Sequence, residues 1–234
     1  MYLLPNTTTI TKSTMPHPQQ PHAILEGLCK EQSLALAPEM VDKLVEYGRL
    51  LEEWNNKINL ISRKEDAPII IKHIFHSLLI TQHHTFQTGE KVLDLGTGGG
   101  LPGIPLAIIA PQATFLLVDA TGKKITACQE MIATLKLTNV TARHLRVEEL
   151  HGETFHTIVS RQVALLNKLC AYGEPLLHEK GKLICLKGGS LEQEIKQSLE
   201  ASQKHHGFPA RVEEHPIDEV SPIFSEKKIV IAYR

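Results

Sequence analysis

The chain has 234 residues, 42% of them hydrophobic and 22% charged, which suits one large domain able to bury a core. A formal net charge of -1 supplies no global basic field for nucleic acid, although a local basic face can act where the total cancels. The four cysteines, Cys29, Cys128, Cys170 and Cys185, form no C-x-x-C pair, which speaks against a zinc site or a disulfide framework and suits a reducing compartment.

The first 22 residues, MYLLPNTTTITKSTMPHPQQPH, lack the basic start and continuous apolar stretch of a signal peptide and read as a polar, disordered tail. No apolar run approaches the roughly 18 residues of a membrane span. The expected setting is the cytoplasm, away from membranes. Residues 23–58 read as helical, with Met40, Val41, Leu44, Leu50, Leu51 and Trp54 recurring at near-helical spacing and Pro38 suited to a first turn. A second helix is expected over residues 68–83, after the polar turn SRKED.

From Lys91 the pattern changes. Short apolar runs at KVLDL, ATFLLVD, VTARHL, FHTIVS and KGKLICLK alternate with helical stretches near residues 104–110, 123–137, 163–177 and 191–204. Such alternation means βαβ units and a mostly parallel sheet. ARVEEHPI and KKIVIAYR, with only a loop between them, predict an antiparallel pair closing one edge, for seven strands in all. The expected organisation is a tail over 1–22, a helical cap over 23–88 and an α/β domain over 89–234.

In such sheets ligands sit at the carboxyl ends of the strands, so the loop VLDLGTGGGLPG is the first candidate site. It contains G-x-G-x-x-G at Gly98, Gly100 and Gly103, with Asp119 about twenty residues on, as a dinucleotide site would. Three features favour S-adenosylmethionine instead. Asp94 stands two residues before Gly96, where a carboxylate would face a pyrophosphate. Pro102 and Pro105 remove amide donors where a phosphate needs them. The closing antiparallel strands follow the pattern of Rossmann-like methyltransferases. Asp119 either accepts ribose hydroxyls or caps the helix after it. Val147 and Glu148 follow the third strand, where an adenine is flanked, or form a solvated turn. Arg161 ends the fourth strand, where it could meet a donor carboxylate or a guanine O6, or else pair with Glu148 or Glu149.

WNNKINL, KHIFHSLL, VLDLGTGGGLPGIPLAI, LLVDATGKK, RVEEL and SRQVALLNKL, in this order and spacing, resemble the glucose-inhibited division protein B family, bacterial small-subunit rRNA guanine-N7 methyltransferases. The resemblance implies a Rossmann-like class I methyltransferase fold with an N-terminal helical extension. It implies donor binding at Gly96, Leu101, Val147, Glu148 and Arg161, beside the positions Asp94, Gly98 and Asp119 read from the residues. It implies a substrate guanine in the 530 loop of 16S rRNA, free or in an assembly intermediate of the small subunit. A monomer is expected. The chain departs from the family pattern at His76, Gln162 and Val163, positions that could lie near the incoming base, and at Ala120.

Guanine N7 carries an in-plane lone pair and no proton, so its methylation needs alignment and no general base. The sequence agrees, having neither an N-P-P-Y loop for an exocyclic amine nor a proline–cysteine nucleophile. Cys185 reads as a buried small residue. RNA contact is expected from Lys57, Arg63, Lys64, Lys72 and His73 on the cap, and from Lys123, Lys124, Arg143, Arg146 and Lys187 near strand ends. Thirteen histidines show no ligand spacing, so no metal site is expected. Trp54 fits the apolar stripe better than a base-stacking role. Two other readings stay open: an NAD-dependent oxidoreductase, and a donor-binding protein without transferase activity.

Overall fold

The computed structural model describes residues 20–62, 67–205 and 207–234. Residues 1–19 of the expected tail, together with Arg63, Lys64 and His206, lie outside the described residues. The helical stretch after the tail divides into α1 (Gln20–Glu31) and α2 (Pro38–Lys57), so residues 20–22 are already helical. The break has a local cause. Ser33 adopts a left-handed φ of 56°, which a right-handed helix cannot continue through. Pro38 then opens α2, where its missing amide costs nothing. Val41, Leu44, Tyr47, Leu50 and Leu51 share the buried face of α2.

The next helix is wound unevenly: a π-type turn over Ile70–Phe75, α3 over His76–Leu78, and a 3-10 turn over Leu79–Gln82. Residues 73–80 are all buried, so the segment is enclosed on every side and carries His73 and His76 into the interior.

Strands and helices then alternate as expected: β1 (Lys91–Leu95), α4 (Gly103–Ile109), β2 (Thr114–Asp119), α5 (Gly122–Thr134), β3 (Val140–His144), β4 (Phe155–Arg161), α6 (Leu166–Gly173), β5 (Leu177–Gly188), α7 (Glu192–His205), β6 (Arg211–Pro216) and β7 (Lys227–Tyr233). The helix expected over residues 163–177 is shorter: α6 begins only at Leu166, and a 3-10 turn over Glu174–Leu176, which holds Pro175, follows it before β5. The seven strands form one sheet in the order β3-β2-β1-β4-β5-β7-β6. β1 to β5 pair in parallel, and β7 is antiparallel to both of its neighbours.

The last two strands close one edge of the sheet as an antiparallel pair, as expected. β7 lies between β5 and β6, and β6 forms the edge. The burial of the two strands explains this placement. Ile229 to Ala232 of β7 are all buried and need cover on both faces, while β6 keeps Arg211 and Glu214 exposed.

Apolar side chains cover both faces of the sheet. One cluster joins Leu44, Tyr47, Leu51 and Phe75 of the cap to Val92, Leu117 and Ile231 of the sheet, so the cap shares a core with the α/β domain. The other lies under α6 and α7. The strand order reverses between β1 and β4, and their carboxyl ends open a crevice there.

A candidate active site at the switch in strand order

The chain leaves β1 through Gly96, Gly98 and Gly100, whose φ values of 71°, 59° and 95° suit glycine and strain any other residue. Asp94 is fully buried behind this loop. Its Oδ2 accepts from the Thr97 hydroxyl at 2.6 Å and from the Gly103 amide at 2.8 Å, tying the two ends of the loop together. Burial pushes the Asp94 carboxyl up to about 7, against the pull of those two hydrogen bonds. Gly103 is required beside it, since a Cβ there would lie 2.6 Å from Oδ2.

Asp119, at the end of β2, ties two stretches of backbone together and lines the cleft. Its Oδ1 accepts from the Thr121 amide at 2.8 Å, next to the start of α5. Its Oδ2 accepts from the Gly98 amide at 3.0 Å, and the side chain lines the cleft. The cap supplies further restraints. Tyr47 donates its hydroxyl to the Gly99 carbonyl at 2.9 Å. Asn55 Oδ1 accepts from the amides of Leu60 and Ile61 at 2.9 and 3.0 Å, which sets the turn of WNNKINL on the cleft rim.

Two hollows flank the loop. The larger, about 670 Å³, is lined by Asn59 to Ser62, Lys72, His73, Gly96 to Gly99, Leu101, Asp119, Lys124, Arg161, Gln162, Val163 and Lys227. The smaller, about 200 Å³, is lined by Leu145, Val147, Glu148 and Tyr172 and shares Gly96, Asp119 and Val163 with the first. Gly96, Gly98, Leu101, Asp119 and Arg161 thus meet in the larger hollow, and Val147 and Glu148 lie in the smaller one. Asp94 lines neither hollow and acts on the site through the loop. Val163 stands at the junction, its Cγ2 2.6 Å from where a Gly96 Cβ would be.

Arg161 does not take up the alternative of pairing with Glu148 or Glu149, and the Glu149 carboxylate accepts from the Arg146 amide. Its Nη2 lies 2.5 Å from His73 Nδ1. A guanidinium only donates, so His73 accepts at Nδ1. His76, expected near the incoming base, is instead buried behind the cleft and stacked on Phe224 at 5.1 Å. Burial, then the charges of Arg161, Lys227 and His73, hold its pKa well below the usual histidine range.

The expected basic set divides. Lys72 and His73 line the cleft beside Lys124. Lys187 is withdrawn from it: the residue is buried and bonded to Glu194 at 2.6 Å. Arg143 pairs with Glu153 at 2.5 Å, and Lys57 lies 4.7 Å over the Trp54 ring, which packs against the core. Sequence reasoning missed Lys227, Tyr47 and Asn55. Only WNNKINL, quoted whole, contained a signal for one of them. Cys185 is buried as expected, its thiol pushed up to about 12. Among the described residues no three histidine, cysteine, aspartate or glutamate side chains are grouped to hold a metal, and no helix is long and apolar enough to cross a membrane.

The loop does not suit a dinucleotide pyrophosphate. The amides of Gly98 and Gly103 are taken by carboxylates, and those of Gly96, Gly100 and Leu101 by backbone carbonyls. What it offers is bare backbone between two hollows, with one carboxylate facing both, which fits a donor with a ribose and no phosphates. Fold and site together define an S-adenosylmethionine-dependent methyltransferase of the Rossmann-like class. More narrowly, the chain belongs to the GidB family, rRNA small subunit methyltransferase G, whose model matches residues 40–219.

The chain is 62% identical over 225 residues to ribosomal RNA small subunit methyltransferase G of Chlorobium luteolum, covering 96% of this chain and 94% of that one. Against the protein of the same name from Pelodictyon phaeoclathratiforme the identity is 60% over 209 residues, with 89% and 92% covered. Among solved structures, the T. thermophilus 16S rRNA N2 methyltransferase (RsmC), in complex with AdoMet and guanosine, shares the fold. Its TM-score is 0.54 at 17% identity, over 74% of this chain and 45% of that one. The oxidoreductase reading falls with the family.

Proposed function

We propose that the chain transfers the methyl group of S-adenosylmethionine to N7 of a guanine in the 530 loop of 16S rRNA. The observation that carries this reading is Arg161, seated on His73 at the end of β4 and facing the same cleft as the glycine loop and Asp119. When bound, the donor supplies an electrophilic methyl on a sulfonium. Asp119 would accept hydrogen bonds from its ribose hydroxyls, Val147 and Glu148 would hold its adenine, and Gly96, Gly98 and Leu101 would let it approach the backbone. Asp94 keeps that backbone in shape.

Arg161 is the catalytic residue, placing either the guanine O6 or the donor carboxylate through its planar fork. N7 attacks with its own lone pair, so no group has to remove a proton. The side chains suited to such a task are otherwise engaged: Asp119 accepts two loop amides and His73 Nδ1 accepts from Arg161. Lys72, Lys124 and Lys227 on the cleft wall supply the positive charge that a phosphate backbone needs. Cap and sheet of one chain complete the cleft, which supports a monomer. Its substrate, 16S rRNA or a small-subunit intermediate, puts its action in the cytoplasm.

The test uses tritiated-methyl S-adenosylmethionine and small ribosomal subunits from cells lacking this activity. Label recovered as 7-methylguanine in the 530 loop is the expected result. Donor binding without label on naked 16S rRNA, intermediates or mature subunits would overturn the reading.

A further inference from the structure

Behind the cleft lies an ion pair that the chemistry above does not use. Lys187, near the end of β5, donates to Glu194 Oε2 at 2.6 Å and to the Ala164 carbonyl at 3.0 Å. The same Glu194 oxygen accepts from the Leu166 amide at 2.8 Å. The pair is sequestered, with 9% of the Lys187 side chain and 20% of that of Glu194 exposed. Between them the two residues hold both ends of a three-residue stretch of backbone, from Ala164 to Leu166.

That stretch ends the loop joining β4 to α6. Its other end is fixed by Arg161, which pairs with Leu186 in the sheet and bonds to His73. Between these anchors stand Gln162, at a left-handed φ of 53°, and Val163, 41% exposed. Both line the larger hollow, and Val163 also separates it from the smaller one.

We propose that Lys187 and Glu194 are positioning residues for methyl transfer, setting the height of Gln162 and Val163 against the glycine loop and so the wall that the target guanine meets. The inference rests on the methyltransfer reading above. Its physical ground is what a buried ion pair does and does not provide. Desolvation offsets most of its attraction, so an apolar pair of similar size can match it in stability. What an apolar pair cannot reproduce is a charged donor and a charged acceptor, each bonded to a chosen backbone group of one loop. Lys187 and Glu194 lie on elements that never reach the donor site, so their effect on catalysis runs through the loop.

The experiment compares wild type, Lys187→Arg and the apolar double variant Lys187→Met/Glu194→Leu. It reads donor Kd, kcat on small subunits, melting temperature and amide exchange at residues 163–166. The double variant should melt near wild type and bind the donor within about twofold. Its kcat should fall roughly ten- to hundredfold, as misplacement of a reacting group by about an ångström does. The amide of Leu166 should exchange faster in parallel, and Lys187→Arg, which keeps a charged donor beside Glu194 and the Ala164 carbonyl, should restore both.

A folded double variant with wild-type kcat or unchanged exchange overturns the proposal. So does a kcat loss that only tracks the loss of folded protein. Should the double variant not fold, Lys187→Gln, a shorter neutral donor, is read on the same scales. A wild-type enzyme that transfers no methyl would sink the functional reading and with it the link to catalysis, whereas the exchange measurement, which needs no substrate, reads the hold of the pair on the loop by itself.

Discussion

The Tyr47 hydroxyl and the Gly99 carbonyl lie 2.9 Å apart, joining the middle of α2 to the glycine loop across 52 residues of chain. Leu51 and Leu60 press on the same residue, since a Cβ on Gly99 would lie 2.8 Å from one and 3.2 Å from the other. The helical cap is therefore part of the cleft's wall. Tyr47→Phe keeps the ring packing and leaves a buried carbonyl unpaired, at a cost of about 1 kcal/mol or more. Stability and donor affinity should both fall, the latter several-fold by titration calorimetry. Unchanged affinity would mean that the loop keeps its shape without the cap.

Arg161→Ala should abolish transfer while leaving the fold intact. His73→Ala should cost less, because Arg161 keeps its charge but loses its seat. Loss of a fixed charged group from a reacting site is worth roughly a hundred- to a thousandfold in rate. Single-turnover rates measured beside circular dichroism would decide the matter. Full activity in a folded Arg161→Ala variant removes this residue from the mechanism.

Asp94 makes stability depend on pH. Its folded carboxyl is raised to about 7 from an unfolded 3.8, so between those values the folded state holds a proton that the unfolded state has released. The stabilisation is fully present below pH 3.8 and is lost as pH rises through about 7. The full effect is of order 4 kcal/mol, as about three units at 1.4 kcal/mol each. Asp94→Asn keeps an oxygen for Thr97 and Gly103 and cannot ionise. Denaturant titrations at pH 5 and pH 8 should show a smaller loss with rising pH in the variant. Equal losses would place the titration elsewhere.

Lys227 faces the cleft although it lies at the start of the last strand, near the end of the sequence. Its substitution by alanine should weaken RNA binding and lower the slope of log affinity against log salt by about one. Donor affinity should not change. A salt slope untouched in Lys227→Ala would take this residue off the RNA path.

Much of this protein was legible before folding, because it depends on neighbours in the chain. The alternation of apolar runs with helical stretches located all seven strands, and the glycines of VLDLGTGGGLPG marked the bend after β1 through backbone freedoms that belong to glycine alone. The motif series placed the chain in its family. Tertiary structure decided what depends on partners far away in sequence. It placed β7 inside β6, because only the assembled sheet offers the four apolar residues of β7 cover on both faces. It set Asp94 behind the loop, took Lys187 from solvent into an ion pair, buried His76 against Phe224 and brought Lys227 to the cleft. Arg161 meets His73 across 88 residues. A residue's type states which bonds it can make, whereas the bonds it does make are set by which distant groups the packed core brings within 3 Å.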